Sequence, residues 1–224
     1  IHTLVKADLH IHTVLSPCGD VEMSPGNIVR LAKERGLGII GITDHNSTRQ
    51  CSVVAQLGTH EGLFVMCGAE VATAEEVHLL VFVDGAERLS ALQAYLDGSL
   101  PDIANDPEVF GYQLVVDGEE NVVYEEERLL ISALDKSLDE VTEFVRSLEG
   151  IVIPAHIDKP ANSLLSQLGF IPPYLDADAM EVSPGGDSGQ LQNTYVTLED
   201  YTLTRSSDAH YPDDIGRAYT ELDV

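Results

Sequence analysis

The chain has 224 residues, 44% of them hydrophobic, with 38 acidic against 12 basic side chains and a formal net charge of −26. This is a globular composition, and no apolar run approaches the roughly 20 residues that a membrane-spanning helix needs. So acidic a chain lacks the basic surface that holds a nucleic-acid backbone along a groove, so nucleic acid is not an expected partner, and neither is a membrane. The start of the chain lacks the charged region and long apolar stretch of a signal peptide, and Cys18, Cys51 and Cys67 are too few for a disulfide framework. A cytoplasmic, soluble protein of one domain spanning 1–224 is expected, with the oligomeric state open.

Short apolar runs alternate with amphipathic stretches, the order of an α/β protein with a largely parallel sheet. "LVKADLH" is the first strand. "SPGNIVRLAKERG" is a helix, with Ser24 as N-cap, Pro25 in the first turn and Gly36 after the last. "LGIIGITDH", "LFVMCGAEV" and "VHLLVFV" are strands, the last two joined by the polar "ATAEE", and a helix runs from Ala86 to about Leu100. Residues 102–130 differ from their surroundings. There "YQLVV" and "NVVY" flank "DGEE" as a β-hairpin turning at Asp117 and Gly118, in an insertion placed to cover a site. "LDEVTEFVRSLEG" is a helix, and "IVIPAHID", "DAMEVS" and "YTLTRSSDAH" are strands.

Residues able to bind a metal fall at the ends of these strands. The first strand ends in "HIH", and alternation along a strand sends His10 and His12 to one face. Asp44 and His45 end the second strand, Glu70 the third; His78 lies at the head of the fourth, His156 ends "IVIPAH", and Asp208 and His210 end the last. Carboxyl ends of parallel strands converge on one face, so these side chains reach a common point. Asp44 is either a ligand or a carboxylate that orients an imidazole. His2 and His60 lie elsewhere and carry no such reading.

Imidazoles mixed with carboxylates suit Zn²⁺, Mn²⁺ or Fe²⁺ rather than Mg²⁺ or Ca²⁺. The donors exceed what one tetrahedral ion takes, so two or three divalent transition-metal ions are expected, with Glu70 or Asp208 bridging. Such a cluster generates hydroxide near neutral pH and clamps the oxygens of a displacement at phosphorus.

In order along the chain, "DLHIHT", "GITDHNS", "GAEV", a following lone His, "PAHID" and "SSDAHYPDDIG" resemble the motifs of the PHP (polymerase and histidinol phosphatase) superfamily. The resemblance runs from about residue 7 to 216, apart from the insertion. It implies a distorted (β/α)₇ barrel of the PHP type, a trinuclear metal cluster at the strand ends, and phosphoester hydrolysis. His10, His12, His45, Glu70, His78, His156, Asp208 and His210 then fall on the family's ligand positions. The remaining position falls on Asp20 if the loop after "HIH" holds two extra residues, and on Cys18 if it does not; Asp20 is favoured because "VEMSP" then meets the helix start without a gap. Glu70, Asp208 and His210 are the expected catalytic groups, the general acid staying open between Asp208 and a histidine.

For the phosphate of a small phosphorylated substrate, Lys159 is the first candidate cation, with Arg49 and Arg205 behind it. The expected activity is that of a metal-dependent phosphoesterase acting on a small phosphomonoester or nucleotide, with a 3′ to 5′ exonuclease or a histidinol phosphatase as alternatives.

Overall fold

The computed structural model describes residues 3–224, so His2 lies outside it. The chain opens with β1 (Leu4–Ile11) and α1 (Pro25–Glu34). Ser24 caps α1 by accepting from the Asn27 N–H at 3.4 Å, and Pro25 takes the first turn, where no N–H is needed. Then follow β2 (Ile39–Ile42), α2 (Cys51–His60), β3 (Phe64–Ala72), β4 (His78–Phe82) and α3 (Ala86–Ser99). The sequence pattern passes over α2 because Gln50 offers no side-chain cap. Its seat is tertiary: a Cβ on Gly58 would lie 2.6 Å from Val65 Cγ2, so glycine lets the helix rest directly on β3.

The insertion holds α4 (Pro107–Phe110) and the expected hairpin, β5 (Leu114–Val116) with β6 (Val122–Glu125), turning where Asp117 Oδ1 accepts from the N–H of Glu119 and Asn121 at 2.9 Å. The remainder is α5 (Leu138–Ser147), β7 (Ile151–Pro154), α6 (Leu164–Leu168), β8 (Met180–Val182), α7 (Ser188–Thr194), β9 (Leu203–Arg205) and β10 (Thr220–Asp223).

Six strands form one sheet in the order β10-β1-β2-β3-β4-β7, and β8 pairs with β9 in parallel. The N–H of Ile157 donates to the Glu181 carbonyl at 2.8 Å and that of Asp178 to the Val152 carbonyl at 2.9 Å, joining β7 to β8. A parallel bridge between Ile11 and Ala209 joins the end of β1 to the chain after β9. The strands β1, β2, β3, β4, β7, β8 and β9 thereby curl into the expected distorted barrel, while β10 covers the first half of β1.

One strand departs from the parallel pattern. β4 runs antiparallel to both β3 and β7, because the connection at 73–77 is far shorter than the roughly dozen residues a parallel crossover requires. Its reversal puts His78, the first residue of β4, at the end of the barrel where its neighbours finish. The same turn of sheet is tight: a Cβ on Gly68 would lie 1.9 Å from the Val81 carbonyl oxygen.

Along β4 the side chains alternate as a strand requires. Leu80 and Phe82 join Ala7, Leu9, Ile153 and Ala155 in the barrel interior. Leu79 and Val81 face outward, onto Leu92 and Leu96 of α3 and Val141 and Val145 of α5. On the other flank α1 and α2 cover β2 through Ile28, Val29, Ala32, Ile40, Ile42 and Val54.

Closure of the ring depends on a buried acid. Asp8 is fully buried in β1 and accepts from the Ser207 N–H (2.9 Å), the Ser207 hydroxyl (2.6 Å) and the Gly216 N–H (2.8 Å). Burial pushes its pKa up to about 6 against these hydrogen bonds. Asp8→Ala strands several donors at once and is expected to lower stability by about 3 kcal/mol. Urea unfolding of wild type and variant measures this; a loss below about 1 kcal/mol would show that the closure does not depend on Asp8.

Candidate metal centre

The barrel end opposite the apolar interior collects the side chains expected there. His10 Nε2 lies 3.4 Å from Glu70 Oε1 and 3.3 Å from Asp208 Oδ1, and His12 Nε2 lies 3.2 Å from Glu70 Oε2 and 3.4 Å from Asp208 Oδ1. On the far side of Glu70, His45 Nδ1 (3.2 Å), His78 Nδ1 (2.8 Å) and His156 Nε2 (3.0 Å) face the same carboxylate. The His210 ring stacks on His12 with centroids 4.1 Å apart. Three overlapping groups of donors emerge: His10, His12, Glu70 and Asp208; His45, Glu70 and His78; and His12, His45 and His210.

Behind these groups stand residues that fix ring orientation, and sequence reasoning missed two of them. Ser16 Oγ accepts from His12 Nδ1 at 2.9 Å and donates to Asp44 Oδ1 at 2.7 Å. Asp44 is further occupied by the Thr13 N–H and hydroxyl, both at 2.7 Å, so it orients an imidazole through Ser16. Glu181, in β8, accepts from His10 Nδ1 at 2.9 Å and is buried. A buried acid inside the short apolar strand "MEV" was the one available signal for it.

With their Nδ1 atoms occupied as donors, His10 and His12 turn Nε2 lone pairs toward each other at 3.2 Å. Two lone pairs aimed at one point, beside two carboxylates, fit a shared cation. Nδ1 of His45, the nitrogen turned to Glu70, is buried without a hydrogen-bond partner, which also fits metal ligation. The cluster is therefore compatible with more than one metal ion. Burial works against an ionised Glu70, but the imidazoles of His78, His10 and His45 outweigh it and hold its pKa well below the ordinary value. Burial, with His12, His78 and His210 close by, holds His45 well below its usual pKa. Burial and His12 push His210 down to about 4, and neutral imidazole is the ligating form.

Lys159 is brought to the cluster. Its ammonium pairs with Asp208 Oδ2, and both line a cavity of about 310 Å³ with His45, Glu70, His78, His156 and His210. The other expected cations are not brought there. Arg49 donates to Asp97 at 2.7 Å and lies over the Tyr124 ring, while Arg205 donates to the carbonyls of Ser183, Pro184 and Gly186; both guanidinium groups are spent on fixing loops. Asp20 and His156 both stay outside the three donor groups, but His156 still faces Glu70 at 3.0 Å, whereas Asp20 Oδ1 accepts from the Glu22 N–H at 2.8 Å and closes a turn. Cys18 instead lines a second cavity of about 450 Å³ that shares Lys159, Asp208 and His210 with the first and includes Tyr211 and Arg217. None of the lining residues of either cavity belongs to the insertion. The hairpin packs on neighbouring loops, through the Leu114 N–H to the Val14 carbonyl and the Gln50 amide to both main-chain groups of Val116. His60 ends α2 at the surface.

A curled α/β sheet whose strand ends gather such a cluster is an arrangement able to hold metal ions at one rim. A model of the PHP domain matches residues 8–159, and the chain belongs to that family. An uncharacterized protein of Methanocaldococcus jannaschii is 38% identical over 79 residues, covering 32% of this chain and 46% of that protein. Among solved structures, the lesion-specific endonuclease Q of Pyrococcus furiosus is similar with a TM-score of 0.70 at 18% identity, over 98% of this chain and 52% of that one. A proposed metal-dependent phosphoesterase of Bifidobacterium adolescentis is similar with a TM-score of 0.65 at 22% identity, over 96% of this chain and 92% of that one. The chain thus spans about half the length of the first relatives it matches. The expectation that nucleic acid is no partner finds no support in these likenesses, since endonuclease Q has also been solved with a 27-mer duplex, an abasic lesion lying at its active site. No helix among the described residues is long and apolar enough to cross a membrane.

Elemental analysis of metal-supplemented protein is expected to find more than one equivalent of transition metal. His12→Ala and Glu70→Ala should each lose at least about one equivalent, because both residues serve two donor groups, and Asp20→Ala should lose none. Metal loss in Asp20→Ala equal to that in His12→Ala would show that the 13–24 loop closes onto the cluster when metals bind.

Proposed function

We propose that this centre hydrolyses a small phosphomonoester or nucleotide. The observation that carries the reading is Lys159, a cation set against Asp208 in a cavity lined by five further members of the donor cluster and by the 160–162 segment. A volume of about 310 Å³ suits a small ligand. Lys159 and Arg217 are the Lys or Arg side chains among the residues lining the two cavities. Two cations serve one or two phosphates, whereas a protein that tracks a duplex neutralises about 6–10. A 3′ to 5′ exonuclease and a histidinol phosphatase remain the alternatives, the first resembling the endonuclease in its phosphodiester substrate and opposed by the net charge of −26.

In this reading His10, His12, His45, Glu70, His78, His156, Asp208 and His210 hold two or three divalent ions, Zn²⁺, Mn²⁺ or Fe²⁺. When bound, these supply Lewis acidity and make water nucleophilic near neutral pH. Lys159 turns from Asp208 toward a phosphoryl oxygen and orients it. His210 keeps its Nδ1 proton on the Asp208 carbonyl at 2.8 Å, which leaves its Nε2 lone pair free to ligate. Glu70, Asp208 and His210 are also the catalytic groups of this reading and would act on the phosphoryl through the ions they hold.

A screen with added Mn²⁺ over sugar phosphates, nucleotides, histidinol phosphate and single- and double-stranded oligonucleotides tests this. Phosphate release from small monoesters is expected; cleavage of oligonucleotides with no monoesterase activity would replace the reading with the nuclease one. On the best substrate, Lys159→Ala should lower kcat/KM by about ten- to a hundredfold, the loss of one charge-assisted contact, with metal content unchanged. In ¹⁸O-labelled water the label should enter the released phosphate, and label in the alcohol product would contradict attack at phosphorus.

A further inference from the structure

Every strand of the ring except β8 carries a predicted ligand on or just beyond it: His10 and His12 on β1, His45 after β2, Glu70 on β3, His78 on β4, His156 after β7, and Asp208 and His210 after β9. What β8 brings is Glu181, 1% exposed. Its Oε1 accepts from His10 Nδ1 at 2.9 Å and from the His156 main-chain N–H at 3.0 Å. Those two histidines then present Nε2 to one and the same atom, Glu70 Oε1, at 3.4 and 3.0 Å, with their rings stacked 5.7 Å apart.

We propose that Glu181 is a positioning residue, which through a single oxygen holds the His10 ring and the His156 main chain in register and so sets metal affinity on both sides of Glu70. It rests on the reading of the cluster as a metal centre. His156 sits at φ +29°, a conformation a non-glycine residue keeps only when its surroundings hold it, and the hydrogen bond to Glu181 is the hold on its N–H. The bond to His10 settles which nitrogen carries the proton and leaves Nε2 free to ligate. Packing alone does not account for an acid here, since the second oxygen, Oε2, is buried with no hydrogen-bond partner and an apolar side chain would fill the same space without that cost.

The test is Zn²⁺ binding to the metal-stripped protein, measured in competition with a chelating dye. Glu181→Ala is expected to bind Zn²⁺ about 10- to 100-fold more weakly than wild type, and Glu181→Gln, which keeps length and an accepting oxygen, within about threefold of it. Glu181→Met keeps the volume without the acceptor, so it should behave as alanine does and serves if the alanine variant fails to fold; thermal unfolding of each stripped protein monitors the fold. Wild-type affinity in folded alanine or methionine variants would overturn the positioning role while leaving the metal centre intact. So would a glutamine variant as weak as alanine, by removing the oxygen's part. A wild type that takes up no Zn²⁺ would instead overturn the metal centre itself, and the positioning role with it.

Discussion

The carboxylate of Glu70 is out of contact with water, and imidazoles reach it from the ends of β1, β2, β4 and β7. An isolated buried carboxylate carries a desolvation cost that no globular domain absorbs, so such a group is neutralised, paired or placed on a metal. The curl of the sheet brings about that pairing. Parallel strands β1, β2, β3 and β7 finish at one rim, and the reversed β4 begins there, so each contributes a donor at that rim. The apolar interior below, formed by Leu9, Leu80 and Ile153, seals the other end of the barrel and confines the polar groups to that rim.

Holding donors at strand ends requires backbone that has left strand geometry, and the positions concerned are the donors themselves or their neighbours. Asn46, His156 and Asp208 have φ of +46°, +29° and +53°. Each is tied by buried polar contacts: Asn46 through its amide to the Ala72 N–H and the Leu130 and Ser132 carbonyls, His156 through Glu181, Asp208 through the Ser207 grip on Asp8. Local strain of this kind persists where surrounding contacts over-determine the conformation, which is what these partners do. Stability and site geometry therefore share the same bonds. Asp8 closes the ring and positions Asp208 in one arrangement.

The scarcity of cations has a structural use. Arg35, Arg128, Arg146 and Arg205 point their guanidinium groups at main-chain carbonyls and so fasten loops to the barrel. Pairs left on the surface, such as Arg30 with Glu34, are more than half exposed and contribute little. Lys159 and Arg217 are left facing the cleft. On the proposed reading, the positive charge that an anionic substrate needs would come mostly from ions held by the cluster.

The gathering of donors at one rim was legible in the sequence because it is local: "HIH", "TDH", "GAEV", "PAHID" and "SDAH" each pair an apolar strand with a polar end, and strand ends of one sheet share a rim. The helix start at Ser24 and Pro25 and the hairpin at Asp117 were legible for the same reason, since caps and turns are written in adjacent residues. What only the tertiary structure decided depends on distance along the chain. The bond from Glu181 to His10 spans 171 positions and that from Asp8 to Ser207 spans 199, and no local spacing announces either. Arg49 and Arg205 sit beside ligand motifs in sequence yet turn away, because Asp97 and the 183–186 carbonyls meet them first. Asp20 likewise meets the Glu22 N–H in its own turn, a contact set by how the 13–24 loop folds and not by the spacing after "HIH".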